Sequence, residues 1–358
     1  MAPERASAFA PGRVNLIGEH TDYNDGLALP FAISQGITVT AMAGDDGRVR
    51  AYALDLGESD EFALAPAHAP GEPHRNSDPQ LGGGWRAFVR GIVTELVAAG
   101  LPLSGASLEI GGDLPRGAGL SSSAALEVSL CLALLELGGE GRAVDRHELA
   151  KLCSRVENEW VGAHTGLLDQ LASLYGQPDM ALLIDFASLA VEPVPLELEN
   201  DWRLVTLDSG EPHSLAKSGY NLRRMECAEA CELLGLESLR AARLEDLEHL
   251  SQNLQRRVEH VLLENTRVRA TATALAAHDL HEVGRLLNES HASLRDLYES
   301  STPAIERAVS RLRRAGAVGA RMVGGGFGGS VLGLLPPGSD LPPGAREVHP
   351  SVGAHLLS

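Results

Sequence analysis

Gly112-Asp113-Leu114-Pro115-Arg116-Gly117-Ala118-Gly119-Leu120-Ser121-Ser122-Ser123-Ala124-Ala125-Leu126 sets a glycine-containing loop directly before an apolar helical pattern that continues through Leu130 and Leu134. The unpaired amides of a helix start and the positive end of its dipole meet at such a junction, where a phosphate chain is stabilised. Three consecutive serines add hydroxyls able to donate to phosphate or to ligate a cation. A plain helix cap needs only one of them. The stretch therefore reads as a phosphate cradle made of backbone and hydroxyl groups.

Lysine usage agrees. The chain of 358 residues holds only Lys151 and Lys217, and neither follows a glycine, so a Walker-type loop is excluded. A formal net charge of −18 opposes attraction to nucleic acid or an anionic membrane, and an anionic nucleotide then has to be held locally. No apolar run reaches the roughly 18 residues of a membrane span, and Met1-Ala2-Pro3-Glu4-Arg5 does not open like a secretory leader. A soluble, cytoplasmic protein is expected. Cys131, Cys153, Cys227 and Cys231 lack the spacing of a disulfide framework and are expected as free thiols.

Upstream of the loop the pattern predicts strands near Ile37–Met42 and Arg48–Ala53, a surface loop over Ala65–Gly84, a helix over Trp85–Ala99 with Trp85 in the core, and a strand at Ala106–Ile110. Downstream it predicts helices at His147–Val161 and Leu167–Tyr175, broken at Gly162–Gly166, and a strand at Met180–Phe186. Val191–Asp201, acidic and carrying Pro193 and Pro195, reads as a link between domains. Beyond it come a strand at Arg203–Asp208, a helix at His213–Leu234, a helix-rich region from Leu244 to Tyr298, and a helix at Pro303–Arg314 capped by Thr302. Strands at Val318–Val323 and Ser330–Leu335 flank Gly324-Gly325-Gly326-Phe327-Gly328-Gly329. The length and the mixture of elements argue for two α+β domains, divided as 1–200 and 201–358.

Near the N-terminus, Pro11-Gly12-Arg13-Val14-Asn15-Leu16-Ile17-Gly18-Glu19-His20-Thr21-Asp22-Tyr23 gathers Arg13, Asn15, Glu19, His20 and Asp22, side chains that hold a polyol or move a proton. The glycines would let them face one pocket from a tight loop. Asp169, in Gly166-Leu167-Leu168-Asp169-Gln170, interrupts an apolar helical pattern, so it either lines a site or caps the helix.

The N-terminal run resembles the signature of the galactokinases, within the GHMP small-molecule kinases. The glycine-serine loop resembles the second GHMP motif at Pro115, Gly119, Leu120, Ser122, Ser123 and Ala124, and Gly319–Ser330 resembles the third. The resemblance implies a two-domain GHMP fold, with a mixed-sheet N-terminal domain, a ferredoxin-like C-terminal domain and the active site between them. It implies that Gly117, Ala118, Gly119, Leu120, Ser121, Ser122 and Ser123 wrap the phosphates of ATP, and that Ser123 and Glu157 bind Mg2+. It makes Asp169 and Arg13 catalytic, places Glu19, His20, Thr21, Asp22, Gly166 and Tyr220 around galactose, and casts the third motif as a loop packed over the site. It leaves Asn15 without a role, and His291–Tyr298 without a catalytic one.

The expected activity is phosphorylation of the anomeric hydroxyl of α-D-galactose by ATP, by a monomer or weak homodimer. A catalytically silent galactose and ATP sensor, or a sister kinase acting on N-acetylgalactosamine, stay open as alternatives. Two departures stand out. Only 23 residues, Pro336 to Ser358, follow Leu335, which implies a shortened second domain, and Asp208-Ser209-Gly210-Glu211 replaces an asparagine-containing turn.

Overall fold

A computed structural model describes residues 3–64, 84–115, 117–140, 145–163, 165–198, 200–211 and 216–357. The expected loop at 65–84 lies outside these residues except for Gly84, as do Arg116 and the start of the helix expected at His213.

The chain opens with β1 (Arg5–Asn15), β2 (Leu27–Ala28), β3 (Pro30–Ala43), β4 (Arg48–Ala53), β5 (Glu58–Ala63), α1 (Trp85–Ala98), β6 (Ala106–Gly112), α2 (Ser122–Leu137), α3 (Arg146–Arg155) and α4 (Leu168–Tyr175). Next come β7 (Met180–Asp185), β8 (Ala190–Pro195), β9 (Arg203–Asp208), α5 (Ala216–Leu234), α6 (Gln252–Ala276), α7 (Leu280–Asp296) and α8 (Pro303–Arg314). The chain closes with β10 (Gly319–Met322), β11 (Ser330–Leu335), β12 (Ala345–Glu347) and β13 (His355–Leu357).

Among the described residues there are three sheets. A mixed sheet runs β13-β1-β3-β6-β4-β5, with β4 and β6 parallel and its other pairs antiparallel. Its strands alternate as a one-face-buried sheet must. Ala8, Val39, Ala41, Val49 and Leu108 point inward against Val89, Ile92 and Leu96 of α1 and Leu126, Leu130 and Leu134 of α2. An antiparallel sheet, β10-β11-β9-β12, packs under α7 and α8, and β2-β7-β8 forms a small third sheet. A second apolar cluster joins the halves: Val14, Leu16 and Phe31 meet Leu204, Val268, Val323 and Leu332.

Several expectations are corrected. Val191–Asp201 is not a free link, because Val191 to Pro195 pair with β7 in β8. Prolines are tolerated there because β8 is the edge strand. The helix expected through Val161 ends as α at Arg155 and continues as a π-helical turn, Val156–Val161, stopped by Gly162 at φ 75°. Trp85 is not a core residue: it is half-buried at the edge of the core, and its Nε1 donates to Glu58 at 3.1 Å. The residues after Leu335 supply two strands, β12 on the antiparallel sheet and β13 on the mixed one.

Candidate active site

Arg13 and Asn15 sit on β1, not in a loop, and a register shift between Pro11 and Arg13 locally bends the strand. The bend brings Arg13 onto the glycine-serine loop, where its amide donates to the Leu120 carbonyl at 3.2 Å and its Nη1 to the Gly119 carbonyl at 2.8 Å. The same guanidinium reaches Asp169, in the first turn of α4, through Nε at 2.8 Å and Nη2 at 2.6 Å, both onto Oδ1. Asp169 Oδ2 accepts the Ser121 hydroxyl. Asp169 is thus bound across the site and does not cap its helix.

A cleft of about 290 Å³ opens over this pair. On one wall lie Gly117, Gly119, Leu120, Ser121, Ser122 and Ser123, at the N-terminus of α2. Facing them are Glu19, His20, Asp22, Gly166 and Tyr220, with Gly324 and Gly325 of the third motif. Ala118, in the same loop, is buried and does not line the cleft. Thr21 is fully buried, and its hydroxyl donates to the carbonyls of Gly18 at 2.9 Å and Leu27 at 2.8 Å, so it closes the turn and does not reach the cleft. Both ring nitrogens of His20 are engaged. Nδ1 meets the Tyr23 hydroxyl at 2.8 Å and Nε2 the Gly325 carbonyl at 3.1 Å, while the ring lies 5.2 Å from that of Tyr220.

Electrostatics follow from crowding. Glu19 Oε1 accepts the Gly324 amide at 2.7 Å and Arg321 Nη1 at 3.4 Å; burial raises its pKa against the pull of Arg321 and Arg13. Asp22 is pushed up to about 7, first by burial and then by the charge of Asp169. Burial lowers the pKa of His20 to about 3, with repulsion from His260 adding to it, so the imidazole is neutral. Glu157, on the π-helical turn, accepts Thr165 Oγ1 at 2.7 Å and Gln170 Nε2 at 3.0 Å. Its pKa is raised by burial and by Asp169, against hydrogen bonds from Thr165, Ser123 and Gln170. Glu19, Asp22, Glu157 and Asp169 all line the cleft, where Arg13 is the one permanently charged cation among the described lining residues. Ser123 and Glu157 bring hard oxygen donors to the glycine-serine loop of this acidic cleft, a donor set that would suit Mg2+.

The chain matches the model of the galactokinase galactose-binding signature at residues 2–43, of the GHMP kinase N-terminal domain at 87–177 and of the GHMP kinase C-terminal domain at 271–354. A galactokinase of Thermotoga petrophila is 40% identical over 331 residues, covering 92% of this chain and 89% of that protein. The chain belongs to the galactokinase family. It is an enzyme, an ATP-dependent kinase of the GHMP fold. The galactokinase of Actinobacillus succinogenes is 39% identical, covering 92% of this chain and 85% of that one. The structure of Lactococcus lactis galactokinase complexed with galactose matches with a TM-score of 0.87 and 31% identity, over 99% of this chain and 96% of that one. The mevalonate kinase of Methanococcus jannaschii shares the fold, with a TM-score of 0.64 at 19% identity, over 97% of this chain and 98% of that one.

This member of the galactokinase family also recruits residues that sequence reasoning passed over. Arg321 is fully buried and donates to the carbonyls of Asn15 and Leu16, each at 3.0 Å. Glu264, fully buried on α6, accepts the Gly18 amide at 3.0 Å. A polar residue in the short β-like pattern of β10 was the only hint of Arg321. Glu264 gave none, since one glutamate in a polar helix is ordinary.

Proposed function

We propose that this chain transfers the γ-phosphoryl group of ATP to the anomeric hydroxyl of α-D-galactose, giving galactose 1-phosphate. The observation that carries the reading is the Arg13–Asp169 pair, seated between the amides at the start of α2 and the polar face of Glu19, Asp22 and Tyr220. The loop Gly117–Ser123 cradles the phosphates. Asp169 accepts or polarises the hydroxyl proton, and Arg13 orients that carboxylate and offsets charge on the transferring group. Glu19 and Asp22 hold sugar hydroxyls as charge-assisted acceptors, and Tyr220 packs beside them. His20 acts through Tyr23 and Gly325, the partners of its two ring nitrogens, and through the Tyr220 ring beside it. Ser123 and Glu157 would hold Mg2+, which when bound would neutralise phosphate charge.

The same proposal takes residues 1–200 and 201–358 as the two domains, and a monomer or weak homodimer as the working state. A cytoplasmic location is supported by four free cysteines. No helix among the described residues is long and apolar enough to cross a membrane. Purified protein with ATP, Mg2+ and a sugar panel, read by coupled ADP release, tests the activity. Galactose should give the highest kcat/KM. Galactose binding without ADP release would mark a sensor, and a higher kcat/KM for N-acetylgalactosamine would move the substrate.

A further inference from the structure

Ser121 occupies the N-cap position of α2, the place where a serine hydroxyl ordinarily accepts an amide of the first turn. Here it makes no such cap. Its backbone is left-handed, at φ 60° and ψ 46°, a conformation unfavourable for serine by about 1 kcal/mol or more. That conformation goes with a hydroxyl turned away from the helix and donated to Asp169 Oδ2. The other carboxylate oxygen is held by Arg13, which also grips the Gly119 carbonyl two residues before Ser121. The loop carbonyl, the guanidinium, the carboxylate and the serine hydroxyl thus close a ring. In that ring the amides of the α2 terminus stay free of side-chain capping by Ser121 while its side chain fixes the carboxylate.

We propose that Ser121 is a positioning residue for Asp169, coupling the shape of the phosphate loop to the orientation of the carboxylate that meets the sugar hydroxyl. The inference rests on the reading of Asp169 as that carboxylate. Contacts between the loop and the phosphates then run through backbone amides and the later serines, and the Ser121 hydroxyl serves turnover more than nucleotide affinity. A carboxylate held on one oxygen only by Arg13 is free to rotate, and loss of orientation lowers the rate of the bound complex.

The test is steady-state kinetics on the parent, Ser121→Gly, Asp169→Asn and the double variant, with galactose and ATP varied separately. Glycine adopts the left-handed backbone without strain, so Ser121→Gly removes the hydroxyl and leaves the turn intact. Loss of a hydrogen bond to a charged group sets the scale: kcat should fall about tenfold, with KM for ATP within about twofold of the parent. In the Asp169→Asn background the same change should cost less than about twofold, because the group it positions is gone. A raised KM for ATP at unchanged kcat would overturn the proposal and make Ser121 a phosphate ligand. So would an equal tenfold loss in both backgrounds. Near-parental turnover by Asp169→Asn alone would instead overturn the catalytic reading of Asp169, a result separate from the coupling.

Discussion

Asp22 shows how one side chain joins the electrostatics of the cleft to its chemistry. It faces Asp169, Glu19, Tyr220 and Arg224, and its pKa of about 7 compares with an ordinary 3.8. Between those values the folded protein holds a proton that the unfolded chain has lost, so this group makes the fold less stable as pH rises from about 4 to about 7. Sugar binding runs the other way, because a hydroxyl donates more strongly to an ionised carboxylate. KM for galactose should therefore fall as pH rises from about 6 to about 8. In Asp22→Asn it should stay high and flat. A flat profile in the parent would remove Asp22 as the titrating sugar ligand. Gly166 belongs to the same contact, since a Cβ there would stand 2.1 Å from Asp22 Oδ2. Arg13, Glu19, His20 and Asp22 are legible as candidates because they share a short run whose polar content no turn requires, whereas Glu157 and Tyr220 enter only through the family resemblance. Thr21 was misplaced because the run does not say which of its side chains folds inward to close the turn.

At the scale of elements, the glycine loop after β10 ties the proposed sugar face to the second half of the chain. A Cβ at Gly325 would lie 2.6 Å from Tyr220 Cδ2, while the Gly325 carbonyl takes the His20 ring. Gly325→Ala should push Tyr220 from its place and raise KM for galactose by about fivefold to tenfold, the scale of mild overpacking. KM for ATP should stay unchanged in the same assay. A parental KM for galactose would show that Tyr220 does not set the sugar face. Elements with strong local signals were read to the residue, as at β4, β9, α8 and β11. Thr302 caps α8 through the Ile305 amide and Pro303 starts the helix, both local effects that a sequence displays. The π-helical turn under Glu157 was not readable, because the residues of an α and a π turn look alike until packing selects one. Prolines misled at β8 because edge position is a property of the sheet and not of the strand.

At the scale of the molecule, the sugar signature is held from behind by charges that arrive from far along the chain. Glu264 accepts Gly18 at 3.0 Å, Ser290 Oγ at 2.6 Å and Arg267 Nε at 2.8 Å, and Arg321 grips the carbonyls of Asn15 and Leu16. Their partners within the signature lie 246 residues away for Glu264 and 306 for Arg321 with Asn15, so no local pattern could announce them. Burial alone would raise the Glu264 pKa, but Arg267, His260 and Arg321, with the Ser290 hydrogen bond, bring it down to about 2. A depressed carboxylate contributes stability that is complete above its unfolded value near 4.5 and is lost as pH falls through about 2. Glu264→Gln keeps the shape but leaves the buried arginines short of an anion, so at pH about 7 it should destabilise the fold by about 3 kcal/mol. By urea unfolding at about pH 3, where the parent has already lost most of the linked term, the gap should shrink to less than about half. An equal gap at both pH values would mean that Glu264 supports the signature through hydrogen bonds alone, and that its charge does not help hold the two halves together.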